Sequence, residues 1–157
     1  MKVSSNERMR TLIGDDAVSP QEVSSVIPER MLAELNSGYE EVSGCVVPKG
    51  SFESGIEKGE EDDTGIECGI SKMHVGDFVD EAITSLVDMI RIGISYALVL
   101  EKTLIHSKVQ GPFRIIIAGD EQSGTCVIRF HRVRPKQRWL LENLEEYKNG
   151  PVMTLDF

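Results

Sequence analysis

The chain has 157 residues with 17 basic and 26 acidic side chains, and its formal net charge is −9 at pH 7. This length favours a single domain with a sizeable hydrophobic core. The acidic excess lies entirely in residues 1–70, which hold 6 basic and 15 acidic residues, whereas residues 71–157 are neutral. A general nucleic-acid-binding protein is disfavoured, because contacts to phosphates require an excess of Lys and Arg. The asymmetry fits either a surface that meets a basic partner or one that only keeps the protein dissolved.

No apolar run with a small-residue cleavage site opens the chain, so we expect a cytoplasmic protein. Charged residues interrupt every apolar window of the length that a bilayer requires, so no membrane span is predicted. Cys45, Cys68 and Cys126 are scattered and lack metal-ligand spacing, which favours buried thiols over a redox or disulfide role. Neither a cofactor nor a metal site is predicted.

The N-terminal region is polar at first, and residues 1–10 are expected to form a flexible arm. The segment Ser19-Pro20-Gln21-Glu22 has the pattern of a helix start, with Ser as N-cap and Pro in the first turn. A second short helix is predicted over Glu29–Leu35, where an Asn-Ser-Gly sequence ends it.

The next region is predicted to contain strands and an acidic loop. Tyr39–Val47 favours a strand, and Ser51–Glu57 and Gly65–Met73 are weaker strand candidates. Glycines and carboxylates between them indicate a loop, which is a solvated hairpin tip, a contact surface for a basic partner, or a cation site. The candidate partner-binding residues are Glu57, Glu60, Glu61, Asp62, Asp63 and Glu67.

Most of a long apolar stretch, Val75–Ile105, is predicted to form one helix at the centre of the core. Its polar residues recur every three or four positions, which is typical of a helix that is buried on most sides. Gly93 is expected to mark a bend or a close packing contact. The competing interpretation ends the helix near Arg91 and makes Ile94–Leu100 a buried strand.

The C-terminal third begins with a clear hairpin pattern, Phe113–Ala118 and Thr125–Val133, around a Gly/Asp/Ser loop. Gln137–Lys148 carries apolar residues at helical spacing, and Val152–Phe157 alternates like a final strand. Residues 129–138 include six potential cations. They fit internal pairing with the acidic residues best, and a protein contact or nucleic-acid binding less well.

No sequence motif identifies an enzymatic reaction, and no catalytic residue is predicted. His74, His106 and His131 do not stand at ligand spacing with each other or with cysteines, and no nucleophile elbow or phosphate-binding loop is present. An enzyme with an unrecognised site remains an alternative, in which Asp77, Asp80 or Glu81 would lie near His131.

The C-terminal third resembles the corresponding part of small bacterial immunity proteins that accompany polymorphic and contact-dependent inhibition toxins. The resemblance covers about 45 residues, and the residues that carry it are Phe130-His131, Arg134, Trp139-Leu140, Leu144, Tyr147 and Val152-Met153-Thr154-Leu155. It implies a non-catalytic protein that binds and neutralises one cognate toxin. The charge of residues 57–67 adds that binding uses this acidic surface, which would fit the basic cleft of a toxin such as a nuclease. The alternative is a small-ligand-binding protein with a pocket between the long helix and the sheet, or a mobile-cassette protein of unknown role.

Together these patterns predict a single α+β domain over residues 1–157. We expect a mainly antiparallel sheet packed on one long central helix, with short N-terminal helices and a C-terminal helix and strand.

Overall fold

A computed structural model of the protein describes residues 1–14, 26–51, 62–80 and 85–157. Within these ranges the chain forms α-helices and β-strands in an α+β arrangement. The helices are α1 (Glu7–Ile13), α2 (Glu29–Ser37), α3 (Asp63–Ile70) and α4 (Leu86–His106). The strands are β1 (Lys2–Ser5), β2 (Tyr39–Val42), β3 (Cys45–Pro48), β4 (Met73–His74), β5 (Phe113–Asp120), β6 (Thr125–Arg132) and β7 (Val152–Asp156).

The main sheet is antiparallel and has the strand order β1-β7-β5-β6-β4. Its centre is the predicted hairpin, in which Phe113 pairs with Arg132 at one end and Asp120 with Thr125 at the other. The predicted final strand, β7, pairs with the other side of β5. Because neighbouring residues of a strand point to opposite faces, the sheet has an inner face toward α4 and an outer face.

The long helix packs across the inner face of the sheet, as predicted. Buried residues of α4, such as Ile94 and Leu100, share one core cluster with Ile117, Ile128 and Phe130 of the sheet. Gly93 marks a close packing contact, because a Cβ at this position would lie 3.5 Å from the side chain of Ile117. The helix is shorter than predicted: it begins at Leu86, and residues 75–77 form one 3-10 turn. The alternative with a strand over residues 94–100 is wrong.

The N-terminus is not a flexible arm, and that prediction is wrong. Residues 2–5 form β1, which pairs with β7 along its whole length. Asn6 then caps α1 through its side chain, which accepts a hydrogen bond from the Met9 N–H at 3.0 Å. The sequence prediction weighed the polarity of this segment, but half-buried polar edge strands are common where a sheet face is only partly covered.

A second, smaller layer contains the β2–β3 hairpin and α3. The segment predicted as one strand, Tyr39–Val47, turns at Ser43 and Gly44, whose φ angles are 53° and 85°. Gly65–Met73 was predicted as a strand and instead forms most of α3, followed by β4. Asp62 starts this helix by accepting a hydrogen bond from the Gly65 N–H at 2.8 Å.

Helix α2 confirms the prediction over Glu29–Leu35 and extends it to Ser37. The predicted helix start at residues 19–22 lies outside the described residues, as do residues 52–57 of the strand candidate that begins at Ser51. Among the described helices, none is long and apolar enough to cross a membrane.

The chain between β6 and β7, residues 133–151, is here named the cover segment, because residues along it line a cavity together with side chains of the sheet's outer face. It does not contain the predicted helix over residues 137–148; its regular structure is one 3-10 turn, Leu144–Glu146. The Asn143 side chain accepts a hydrogen bond from the Glu145 N–H at 3.1 Å, and such local bonds compete with helix formation.

Candidate functional site

One of the predicted site residues, Glu67, is buried, and its environment joins four parts of the fold. Glu67 lies on the inward face of α3 and is 0% exposed. Its carboxylate accepts hydrogen bonds from the backbone N–H groups of Val46 in β3 and Arg132 in β6, both at 2.7 Å. The Arg134 guanidinium donates to both carboxylate oxygens, at 2.7 and 2.8 Å. This bidentate geometry is the strongest form of an Arg–carboxylate pair.

Arg134 also ties the cover segment to the β2–β3 hairpin. Its guanidinium donates to the carbonyl oxygens of Gly44 at 2.8 Å and Arg132 at 3.2 Å, and Asp63 lies 3.8 Å away. The hydrogen bonds that the guanidinium donates to the Glu67 carboxylate raise the pKa of Arg134 above its ordinary value. This largely buried pair therefore joins α3, β3, β6 and the cover segment. Hydrogen bonds within the protein replace the water that both charged groups lose on folding.

The predicted acidic contact surface needs correction at Glu67, which is buried and cannot contact a partner. Asp62 serves as the N-cap of α3, and Asp63 lies beside Arg134. The remaining candidates, Glu57, Glu60 and Glu61, lie outside the described residues, and their role in binding stays a prediction.

The basic cluster over residues 129–138 is mostly paired within the protein, which was the favoured interpretation. Arg132 pairs with Glu41 at 2.6 Å, and this hydrogen bond lowers the pKa of the Glu41 carboxyl. Arg138 pairs with Glu142 at 2.9 Å on the surface. Arg129 donates to the Cys68 carbonyl at 2.8 Å. As the alternation predicts, Arg129 lies on the outer face and Arg132 on the opposite one.

Trp139 lies over the guanidinium of Arg129, with 5.0 Å between the Arg carbon and the ring centroid. The position of the cover segment is fixed at further points. The side-chain oxygen of Gln137 accepts hydrogen bonds from the N–H and hydroxyl of Thr64 in α3, at 3.3 and 3.1 Å. The Leu141 N–H donates to the Tyr147 hydroxyl at 2.8 Å. The segment is thus irregular in backbone but held by specific contacts.

A cavity of about 380 Å³ lies between the cover segment and the outer face of the sheet. Lys2, Arg114, His131, Thr154 and Asp156 line it from the sheet, and Arg134–Glu142 with Leu144 lines most of the other side. Its lining includes five Lys and Arg side chains and two carboxylates. Arg114 and Asp156 form a bidentate pair with both distances at 2.7 Å, so this corner is neutral.

His131 lines the same cavity and is 3% exposed. Its Nδ1 lies 2.9 Å from the Arg132 carbonyl oxygen, which can only accept, so Nδ1 carries the proton of the neutral ring. Within the described part of the chain, Nε2 has no hydrogen-bond partner. Burial lowers the pKa of His131, and the nearby charges of Arg114 and Arg134 lower it further. The ring is therefore neutral, with a bare acceptor at Nε2.

The lowered pKa of His131 predicts a pH-dependent stability. Because the unfolded chain binds a proton near pH 6.5 and the folded chain does so only at lower pH, this contribution is complete above pH 6.5. It is lost as the pH falls from 6.5 toward the folded-state pKa, with a slope of at most about 1.4 kcal/mol per pH unit. We expect urea denaturation at pH 5–8 to show this slope in the wild type and to lose it in His131→Gln. His106→Gln, at an exposed histidine, should keep it; an unchanged slope in His131→Gln would contradict the assignment.

A second cavity, of about 280 Å³, lies between α4 and the sheet. Tyr39, Tyr96 and Phe130 contribute aromatic rings, and Glu34, His74 and Asp77 are among its polar residues. Burial raises the pKa values of Tyr39 and Tyr96, that of Tyr96 to about 12, and the two phenol groups influence each other. Both phenols are therefore neutral.

Of the acidic residues that the enzyme alternative would require, Asp77 does not lie beside His131. Asp77 lines the cavity beside α4, whereas His131 lines the cavity under the cover segment. Asp80 is exposed, and Glu81 lies outside the described residues. Among the residues that the structure describes, no three potential ligands form a group suited to a metal ion.

The family model described as the Uncharacterized protein PM0498 family matches residues 4–157. The chain belongs to this family. No curated protein and no solved structure matches it.

Sequence reasoning missed the central ion pair of this PM0498 family protein. The sequence did contain a signal, since Glu67 is a single carboxylate among the apolar residues Ile66, Cys68 and Ile70. In a helix, this pattern indicates a buried charge that is paired within the protein. The cysteines agree with expectation: Cys45, Cys68 and Cys126 are buried and form no disulfide. Burial raises the pKa of Cys68 and of Cys126 to about 12, so both are unreactive thiols.

Proposed function

We propose that this PM0498 family protein is an immunity protein, which binds one cognate toxin and neutralises it by covering its active site or substrate groove. The observation that carries the proposal is the position of the exposed apolar side chains. Among the described residues, six large hydrophobic side chains are exposed, and Val133, Trp139 and Leu141 of these lie within nine positions of the cover segment. Exposed aromatic and aliphatic residues that cluster on a fixed segment are typical of protein-binding surfaces.

The arrangement of the cover segment supports binding rather than catalysis. The segment is fixed by Arg134 at its start and by the Tyr147 hydroxyl further along, so little conformational entropy would be lost when a partner docks. Inhibition by occlusion requires no reactive group on the inhibitor. The resemblance to immunity proteins includes Arg134, Trp139 and Tyr147, and these residues position the same segment.

The first test of the proposal is the position of the gene, since we expect a gene for a large secreted toxin to end directly upstream. The decisive test is co-expression with the C-terminal domain of that toxin. We expect a stoichiometric complex by size-exclusion chromatography with light scattering, and restored growth of cells that express the toxin domain. A toxin domain from an unrelated system is the control. If the cognate domain neither forms a complex nor is neutralised, the proposal is wrong.

A second candidate function, the binding of a small molecule, is favoured by the cavity beside α4. This cavity lies between the long helix and the sheet, and its lining combines apolar side chains such as Leu100 and Phe130 with the two neutral phenols of Tyr39 and Tyr96. Native mass spectrometry of protein purified from its own cells would show a retained small molecule if this function is correct. Protein that is free of any ligand, and whose melting temperature is unaffected by extracts of those cells, would contradict it.

A further inference from the structure

The exposed part of the cover segment combines large apolar side chains with cations. We name as the contact face the residues Val133, Lys136, Arg138, Trp139 and Leu141. Val133, Trp139 and Leu141 are 38%, 41% and 51% exposed. Trp and Arg are the residues that most often dominate the binding energy of protein interfaces, particularly where they surround a pocket.

The charge of this region is opposite to that of the whole molecule. The cavity beside the contact face is lined by five cations and two carboxylates, whereas the chain carries a net charge of −9. Even when Arg134 is set aside because buried Glu67 neutralises it, two more cations than carboxylates remain. A local positive region on an acidic protein selects an acidic partner surface and accelerates association with it.

The cavity also contains a polar atom that lacks a partner. His131 Nε2 is a bare acceptor in a ring that is 3% exposed, and no described residue donates to it. Buried polar atoms are nearly always hydrogen-bonded, so an exception requires an explanation. A donor that arrives with the partner, such as a hydroxyl or an amide N–H, would satisfy this atom and occupy the cavity.

From these three observations we infer that the toxin docks on the contact face through an acidic surface. In this complex Trp139 and Leu141 pack against apolar side chains of the toxin. Its carboxylates approach Lys136 and also Arg138, where they replace the exposed pair with Glu142. One toxin side chain with an O–H or N–H enters the cavity that His131 lines, and a small shift of the cover segment opens the covered Nε2 atom to this donor. The inference rests on the proposed function and identifies the site and the partner chemistry for it. A protein partner is favoured over nucleic acid, because the exposed Val133 and Leu141 offer aliphatic surface that a protein can match and a phosphate backbone cannot.

The inference is tested by binding kinetics of the full chain with the cognate toxin domain. We expect Lys136→Glu/Arg138→Glu to weaken binding at least 10-fold, mainly by slowing association, and added salt should reduce this difference. Trp139→Ala should weaken binding about 30-fold or more, mainly by faster dissociation. Arg91→Glu/Lys102→Glu is the matched control, since it makes the same charge change on exposed residues of α4, across the sheet from the contact face.

Two further measurements separate docking from a change of fold or of partner. Trp139→Phe keeps a ring over Arg129 and should retain more affinity than Trp139→Ala. The ¹⁵N resonance of His131 Nε2 should move when the toxin domain binds, which a purely structural histidine would not show. Fluorescent single-stranded and duplex oligonucleotides serve as competing probes at low salt.

The outcomes distinguish the inference from the proposed function. If the wild type binds the toxin and both contact-face variants bind equally well, the inference is wrong and the proposed function stands. The same holds if Glu57→Gln/Glu60→Gln/Glu61→Gln weakens binding instead, since the contact then lies at the acidic loop. Oligonucleotide binding that Trp139→Ala abolishes would also overturn the inference. If the wild type does not bind the toxin, the proposed function fails, and the inference fails with it.

Discussion

Replacing Glu67 by Gln is expected to lower the free energy of unfolding by about 3–5 kcal/mol, because the largely buried Arg134 loses its bidentate counterion and keeps only Asp63, which is 3.8 Å away. Glutamine has nearly the same shape, so the effect isolates charge and hydrogen bonding. The two oxygens of the Glu67 carboxylate accept from the N–H groups of Val46 and Arg132, both at 2.7 Å. In glutamine one of these oxygens becomes an NH₂ group, which cannot accept, so one of the two N–H groups loses its acceptor. Urea denaturation followed by circular dichroism measures the loss.

The matched control for Glu67 is Glu41→Gln, which removes the same charge from another Arg pair. Glu41 and Arg132 are 2.6 Å apart, but the Glu41 side chain is 47% exposed, so we expect a loss below about 1 kcal/mol. The double variant Glu67→Met/Arg134→Met should recover part of the stability that Glu67→Gln loses, since it removes both charges of the bidentate pair but leaves the N–H groups of Val46 and Arg132 without their acceptor. Equal losses for Glu67→Gln and Glu41→Gln would contradict the role of the buried pair.

Replacing Asn6 by Ala is expected to lower the free energy of unfolding by about 3 kcal/mol or more, because this side chain makes four hydrogen bonds while only 1% exposed. Its oxygen accepts from the N–H groups of Met9 and Val152, both at 3.0 Å. Its NH₂ donates to the carbonyls of Gly150 at 2.9 Å and Tyr147 at 3.2 Å. Alanine leaves these buried groups without partners at the junction of α1 and β7.

Asn143→Ala is the control for Asn6→Ala, because Asn143 is exposed and accepts one local hydrogen bond from the Glu145 N–H. We expect it to cost less than about 1 kcal/mol. Asn6→Asp adds a second comparison, since it keeps the acceptor oxygen but loses both donors and buries a charge. Hydrogen exchange should show that β1 and α1 open first in Asn6→Ala. A uniform loss of protection, or the same cost at Asn143, would show that Asn6 is not the anchor.

The parts of the fold that the sequence predicted correctly are those with strong local signals. The hairpin of β5 and β6 has two runs rich in β-branched and aromatic residues around a Gly-containing turn, so neighbouring residues decide its structure. The body of α4 is apolar on most sides and could only be stable in the centre of the core. These elements also fix the α+β class, because one long buried helix requires a sheet large enough to cover it.

The wrong predictions concern segments whose structure depends on distant residues. Residues 2–5 form a strand because β7, about 150 positions later, offers an open edge. The apolar spacing over residues 137–148 resembles a helix, but Trp139 packs on Arg129 and Gln137 bonds to Thr64, so the segment follows the sheet instead. The sequence predicts a strand where α3 forms, because the two glycines of this helix weaken the helical pattern. Its N-cap, Asp62, was predicted to belong to the acidic loop, so the start of the helix was not recognised.

The same division holds for the candidate site. The sequence alone determined the acidic charge, the composition of the basic cluster and the preference for internal pairing over nucleic-acid binding, because these properties depend on residue types and their order. Only the tertiary structure decided that Glu67 is buried against Arg134 while Trp139 and Leu141 are exposed. The burial of a residue depends on which distant segments of the chain cover it. Residues 46, 132 and 134 contact the Glu67 carboxylate only in the folded protein, where the β2–β3 hairpin, α3, β6 and the cover segment pack together.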